Sequence, residues 1–170
     1  IVNKIVDLAL VEGDGTNGFK SIEKEADDKK IKKITTKAKS AGKTPFADAI
    51  EEAVDFVRPT AGRRYLIVKA EDRRALLDEL RQAPANAHVR IKNDDTEIAS
   101  EVGVDEIIVY TGTKAVKPTV LVDQKYHIDM QDLTKVDAFE WKTNSNMILV
   151  ETLTSGHVET LNAGAVITVA

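Results

Sequence analysis

Val11-Glu12-Gly13-Asp14-Gly15-Thr16-Asn17-Gly18-Phe19 is the stretch from which the rest of the chain is read. Gly13, Gly15 and Gly18 crowd one short segment. Glycine reaches positive φ at low steric cost, so such a cluster ends a helix and turns the chain. What precedes it fits. Ile1, Val2, Ile5, Leu8 and Ala9 follow the i, i+3, i+4 rhythm of an amphipathic helix. A helix over 1–11 running into a Gly13-Asp14-Gly15-Thr16 turn is therefore expected. No capping residue stands ahead of Ile1, so the helix reads as entered partway along, with upstream sequence expected.

Downstream, residues 20–43 are dense in Lys, Asp and Glu. Their apolar members Ile22, Ile31 and Ile34 are sparse, which predicts a solvated strand or a loose, exposed segment. Thr44 as N-cap and Pro45 at the first helical position open a helix over 45–58. Its stripe is Phe46, Ile50, Ala53, Val54 and Val57, and Pro59 and Gly62 end it. A second helix spans 71–82, with Leu76, Leu77 and Leu80 inward and an acidic start that suits the helix dipole. A short third helix over 96–102 stops at Gly103. Residues 65–68, 107–110 and 119–122 are short, continuous, β-branched apolar runs. Such runs need cover on both faces, so they are expected in one sheet flanked by the two longer helices.

The pattern then changes to alternation. Tyr126, Ile128 and Met130 share one strand face, and His127 and Asp129 the other. Phe139 and Trp141 share a face further on, followed by strand patterns over 146–154 and 164–170. Alternating strands without helices between them predict an antiparallel sheet. The fold class is therefore α+β.

Composition narrows the function. The chain has 170 residues, 42% hydrophobic and 31% charged, which implies a packed globular fold. A net charge of −4 with interspersed signs argues against a dedicated nucleic-acid binder. With no cysteine, disulfides, thiolate metal sites and thiol catalysis are excluded. No apolar run approaches the ~20 residues of a membrane span, and no signal peptide is visible.

Candidate chemistry is thin. Asp14, Thr16 and Asn17 place oxygen ligands as a hard-cation loop could, but the third acid and the distal bidentate Glu are missing, so a plain turn is expected. His88, His127 and His157 lie in separate segments, none at metal-ligand spacing, and are expected at the surface or a strand edge. The adjacent acids Glu51/Glu52 and Asp94/Asp95 point apart on a helix or strand, which is wrong for acid–base work. No serine sits in a nucleophile elbow. Lys29, Lys30, Lys32 and Lys33, with Lys37 and Lys39, could touch phosphates. The acids at 23, 25, 27 and 28 offset that field and no aromatics interleave it, so a solvated face is expected. Catalytic residues, cofactor and metal are all assigned as none.

The order of elements resembles the major capsid proteins of tailed phages, the Hong Kong 97 fold. The Gly13-Asp14-Gly15-Thr16 turn resembles the one that follows the family's spine helix. The resemblance implies three regions: 1–18 as the end of the spine helix in the peripheral domain, 19–123 as the axial domain, and 124–170 as return strands of the peripheral domain. It implies that the N-terminal arm, the extended loop and the start of the spine helix lie outside this chain. It also implies a structural, self-assembling subunit of a bacteriophage or prophage virion, built in the bacterial host cytoplasm. Its partners would be copies of itself, as pentamers and hexamers of an icosahedral shell, and packaged DNA through non-specific contacts, with no membrane. Some members crosslink through Lys–Asn isopeptide bonds, but the lysine-bearing loop is not in this chain, so Asn144 and Asn146 read as a turn. Phe139 and Trp141 are the possible assembly surface, a face that a further segment would cover. The alternatives are an encapsulin-like compartment shell and, from a different class, a small α+β enzyme or ligand-binding domain.

Overall fold

Short β-branched runs and amphipathic helices alternate through the middle of the chain, and they assemble into a sheet covered by helices. The computed structural model describes residues 2–16, 18–25, 29–39, 43–84, 90–131 and 153–170. The chain runs α1 (Val2–Asp7), a π-helical turn (Leu8–Glu12), β1 (Ile31–Thr35), α2 (Pro45–Val57), β2 (Arg64–Val68), α3 (Ala70–Gln82) and α4 (Asp95–Val102). It continues through β3 (Glu106–Val109), β4 (Thr119–Val122), β5 (Tyr126–Gln131), β6 (Leu153–Val158) and β7 (Gly164–Thr168). The architecture is α+β.

Five strands form one mixed sheet in the order β1-β7-β4-β2-β3, and β5 and β6 form a separate antiparallel pair. The runs at β2, β3 and β4 do share one sheet, as their two-sided apolar character requires. β2 is parallel to β3 and antiparallel to β4. Strand alternation sorts the side chains. Leu66, Val68, Ile107, Val120, Val122, Ala165 and Ile167 meet the core stripes of α2, α3 and α4 on one face. Ile31, Ile67, Leu121 and Val166 face the other way, toward Leu10, Ile22 and Val158.

Two expectations are corrected. Residues 20–43 are not loose throughout: Ile22, Ile31 and Ile34 are buried, and β1 pairs in parallel with β7. The C-terminal strand does not join an antiparallel sheet of return strands. β7 lies inside the five-stranded sheet, parallel to β1 and antiparallel to β4. Ala165, Val166 and Ile167 are all buried, so both faces of β7 need apolar cover, which a one-sided peripheral sheet would not supply.

Helix ends show where local chemistry prevailed and where it did not. Gly103 adopts φ +76° and donates to the last carbonyls of α4, as its position predicts. Asp94 caps α4 by accepting from Thr96 N at 3.2 Å. Thr44 does not cap α2; its hydroxyl donates to Asp48. The cap comes from α3. The buried Glu79 carboxylate accepts from Phe46 N and Ala47 N, both at 2.9 Å. A carboxylate at a helix N-terminus satisfies free N–H groups and meets the positive end of the helix dipole.

Candidate functional site

The first helix does not run straight into the turn. Gly13 N donates to Leu8 O at 2.9 Å, an i to i+5 bond that widens the last turn. Widening leaves Ala9 O and Leu10 O to accept from Ile22 N and Glu23 N at 2.7 and 3.4 Å. The chain then doubles back: Gly15 N donates to Phe19 O at 2.7 Å and Ser21 N to Gly13 O at 2.9 Å. Asp14 Oδ1 accepts from Thr16 N at 2.8 Å, and bonds from Thr16 hold the Asp14 carboxyl below its usual range. Gly15 sits at φ +88° with open space around any added Cβ. Its requirement is conformational. Gly13 has a different one: a Cβ there would lie 2.6 Å from Leu8 O and 2.8 Å from Phe19 O. Both obstacles are backbone, so they cannot swing aside.

This turn grips the β5–β6 pair. Lys20 N donates to Gly156 O at 2.8 Å, and Gly156 N donates to Gly18 O at 3.0 Å. Phe19 is buried against the same glycine: a Cβ at 156 would come within 2.8 Å of its ring and 2.7 Å of the Tyr126 hydroxyl. Tyr126 donates to Lys20 O at 2.9 Å. Burial, with the Glu25 carboxylate adding to it, pushes the Tyr126 phenol up to about 12. Glu25 is itself buried and pairs with Lys20 Nζ at 3.0 Å.

Polar straps tie the same region to the loop after β3. The Tyr110 hydroxyl donates to the Asp7 carboxylate, Lys114 pairs with Glu12, and Lys117 Nζ lies 2.7 Å from Glu23. Burial, then the Asp7 carboxylate, raises the Tyr110 phenol; the Glu12 carboxylate raises the Lys114 ammonium. A half-open cleft of about 450 Å³ lies here, lined by Val6, Asp7, Ile108, Tyr110 and Gly112 among others. Of the polar groups that line it, the Tyr110 hydroxyl is taken up by the Asp7 carboxylate.

The other sequence candidates disperse. Gly13, Asp14, Gly15 and Thr16 lie where the chain doubles back after the first helix. Phe139 and Trp141, the possible assembly surface, lie outside the described residues, as do Asn17, His88, Asn144 and Asn146. Glu52 pairs with Lys32, Asp94 caps α4, and Asp95 meets Arg73 at 2.5 Å, so neither adjacent acid pair acts together. Of the lysine cluster, Lys32 also lies over the Phe56 ring at 5.8 Å, while Lys33 is exposed on β1, an edge strand. Lysine on an edge strand discourages pairing with other chains. His127 and His157 are the exception: far apart in sequence, they face each other across β5 and β6. Their pairing depends on strand register, which the separate segments do not reveal. Among the described residues no three His, Cys, Asp or Glu side chains are placed so that they could hold a metal ion, and no helix is long and apolar enough to cross a membrane.

Two curated proteins similar to the chain are the capsid protein of Lactococcus phage p2 and the capsid protein of Lactococcus phage SK1. Each is 95% identical to it over 169 residues, covering 99% of this chain and 43% of the relative. The chain thus spans less than half the length of these curated relatives. No protein-family profile matches it.

Proposed function

We propose that this chain is part of a structural capsid subunit of a tailed phage, with no enzymatic role. The observation that carries the reading is the 95% identity, across 99% of the chain, to two capsid proteins of Lactococcus phages. The shell-building activity belongs, in this proposal, to the longer polypeptide of which such a chain is 43%. Many copies tile as pentamers and hexamers into an icosahedral shell that encloses DNA, first in the host cytoplasm and then as the virion. Shape-complementary burial between subunits drives that tiling.

The finer reading is the Hong Kong 97 fold. Its support is the order of elements: a helix ending in the Gly13–Thr16 turn, then a helix-covered sheet, then a separate antiparallel pair. The proposed division into 1–18, 19–123 and 124–170 is kept with one amendment, that β7 completes the sheet of the middle region. Phe139 and Trp141 remain the proposed assembly surface.

Electron microscopy of the full-length subunit tests the proposal. Closed shells of uniform size are expected. A full-length protein that stays monomeric under packaging-like conditions, with this chain turning over a substrate, would overturn it in favour of the enzyme alternative.

A further inference from the structure

His127 on β5 and His157 on β6 are register partners in an antiparallel pair. Directly opposed side chains in such a pair project from the same face of the ribbon, with Cβ atoms about 4.5–5.5 Å apart. The two rings lie 6.3 Å apart between centroids, tilted by 39°. A carboxylate completes the group: Glu159 Oε1 lies 2.8 Å from His157 Nε2. All three side chains reach solvent, His127 and Glu159 openly and His157 in part.

We propose that His127 and His157 form a two-imidazole clip for a divalent transition metal of the zinc, nickel or copper type, with Glu159 as a third ligand. Imidazole with one carboxylate suits these borderline ions better than Mg²⁺ or Ca²⁺, which prefer all-oxygen shells. Two imidazoles on one tetrahedral ion, with metal–nitrogen bonds of about 2.05 Å, place their centroids about 5.2 Å apart. The observed spacing is about 1 Å wider, within reach of small χ rotations at a solvent-facing site. The same tetrahedral geometry sets a ligand nitrogen and oxygen about 3.3 Å apart. The 2.8 Å hydrogen bond therefore opens by about half an ångström when the metal replaces the proton between Nε2 and Oε1. That proton moves to Nδ1 of the same ring, so neutral His157 binds without releasing it.

As placed, no three such side chains among the described residues could hold an ion; both rings and Glu159 have to turn onto the metal, with water completing its shell. The consequence is mechanical. A two-stranded ribbon is marginal by itself, and a metal bound across β5 and β6 links its strands in the folded state only. The inference stands apart from the shell-building reading and rests on the histidine geometry alone.

Zn²⁺ titration of the 170-residue chain by calorimetry, with Ni²⁺ and Mg²⁺ in parallel, tests it. Saturable binding of one Zn²⁺ or Ni²⁺ per chain is expected, with none for Mg²⁺. His127→Gln and His157→Gln should each weaken it more than about tenfold, while His88→Gln leaves it unchanged. Zn²⁺ should also raise the thermal midpoint of the unsubstituted chain in a concentration-dependent way, an effect absent from both clip variants. Circular dichroism without metal establishes that the variants are folded. The proposal is overturned by absence of saturable binding, by binding that survives both substitutions, or by one metal per two chains, which would place the ion between copies.

Discussion

On one face of the five-stranded sheet, Ile50, Leu66, Leu76, Ile98 and Val120 are fully buried against α2, α3 and α4. On the other face a smaller group, Leu10, Ile22, Ile31, Val116, Val158, Ala163 and Val166, is closed by the first helix, the Gly13–Thr16 turn and the β5–β6 pair. The first face is held by area, since each buried Leu or Ile side chain contributes about 1.5–3 kcal/mol. The second has less apolar surface and relies on backbone bonds at Gly13, Gly18 and Gly156, and on straps such as Lys117–Glu23. Ion pairs of that kind, still in reach of solvent, contribute little individually. The helix-covered face should therefore set global stability, and the turn should set how firmly the ribbon is attached.

Substitutions can separate the two. Ile50→Ala removes a fully buried side chain from the helix-covered face, with an expected loss of about 2–5 kcal/mol in chemical denaturation. A smaller loss there than at the turn would reverse the ranking. Gly13→Ala drives a Cβ into two backbone oxygens, with an expected cost of about 1–3 kcal/mol. Hydrogen exchange should show that cost first as lost protection at Lys20 and Gly156, with α2 still protected. Gly15→Val meets no atom and is opposed only by φ +88°, so about 1–2 kcal/mol is expected. A change near zero would mean that the turn tolerates another conformation.

The smallest effect concerns pH. Folding raises the Tyr126 phenol from 10.0 to about 12, so the neutral form is favoured in the folded state. The associated stability is fully present below about pH 10 and is lost as the pH rises through about 12. Tyr126→Phe should cost about 0.5–1.5 kcal/mol at neutral pH, from the lost bond to Lys20 O. It should also flatten this alkaline part of the denaturation profile. An unchanged slope would show that Tyr126 is not the titrating group.

Much of this architecture was legible in the chain because local signals coincide with burial. The stripe from Phe46 to Val57 predicts α2, the apolar runs predict β2, β3 and β4, and Gly103 predicts the end of α4. Glycine conformation is local in the same way: Gly15 in the Gly13–Thr16 segment takes φ +88°. Less could be read where the deciding partner lies far away. Ile31 and Ile34 look isolated among lysines until β7, more than 120 residues later, supplies a strand beside them. The chain does carry one signal for that strand: 164–168 is a mostly apolar run like β2 and β4, and it calls for the same two-sided burial.

The sequence by itself determined the helices, the buried-type strands and the positions of the turns, because propensity, capping and apolar periodicity act over a few residues. Tertiary structure alone decided that Glu79 of α3 caps α2, that the first helix widens so that two of its carbonyls meet Ile22 N and Glu23 N, and that His127 faces His157. Each of these is a pairing between segments distant in the chain. Its register follows from how whole elements pack, and no short window of residues carries that information.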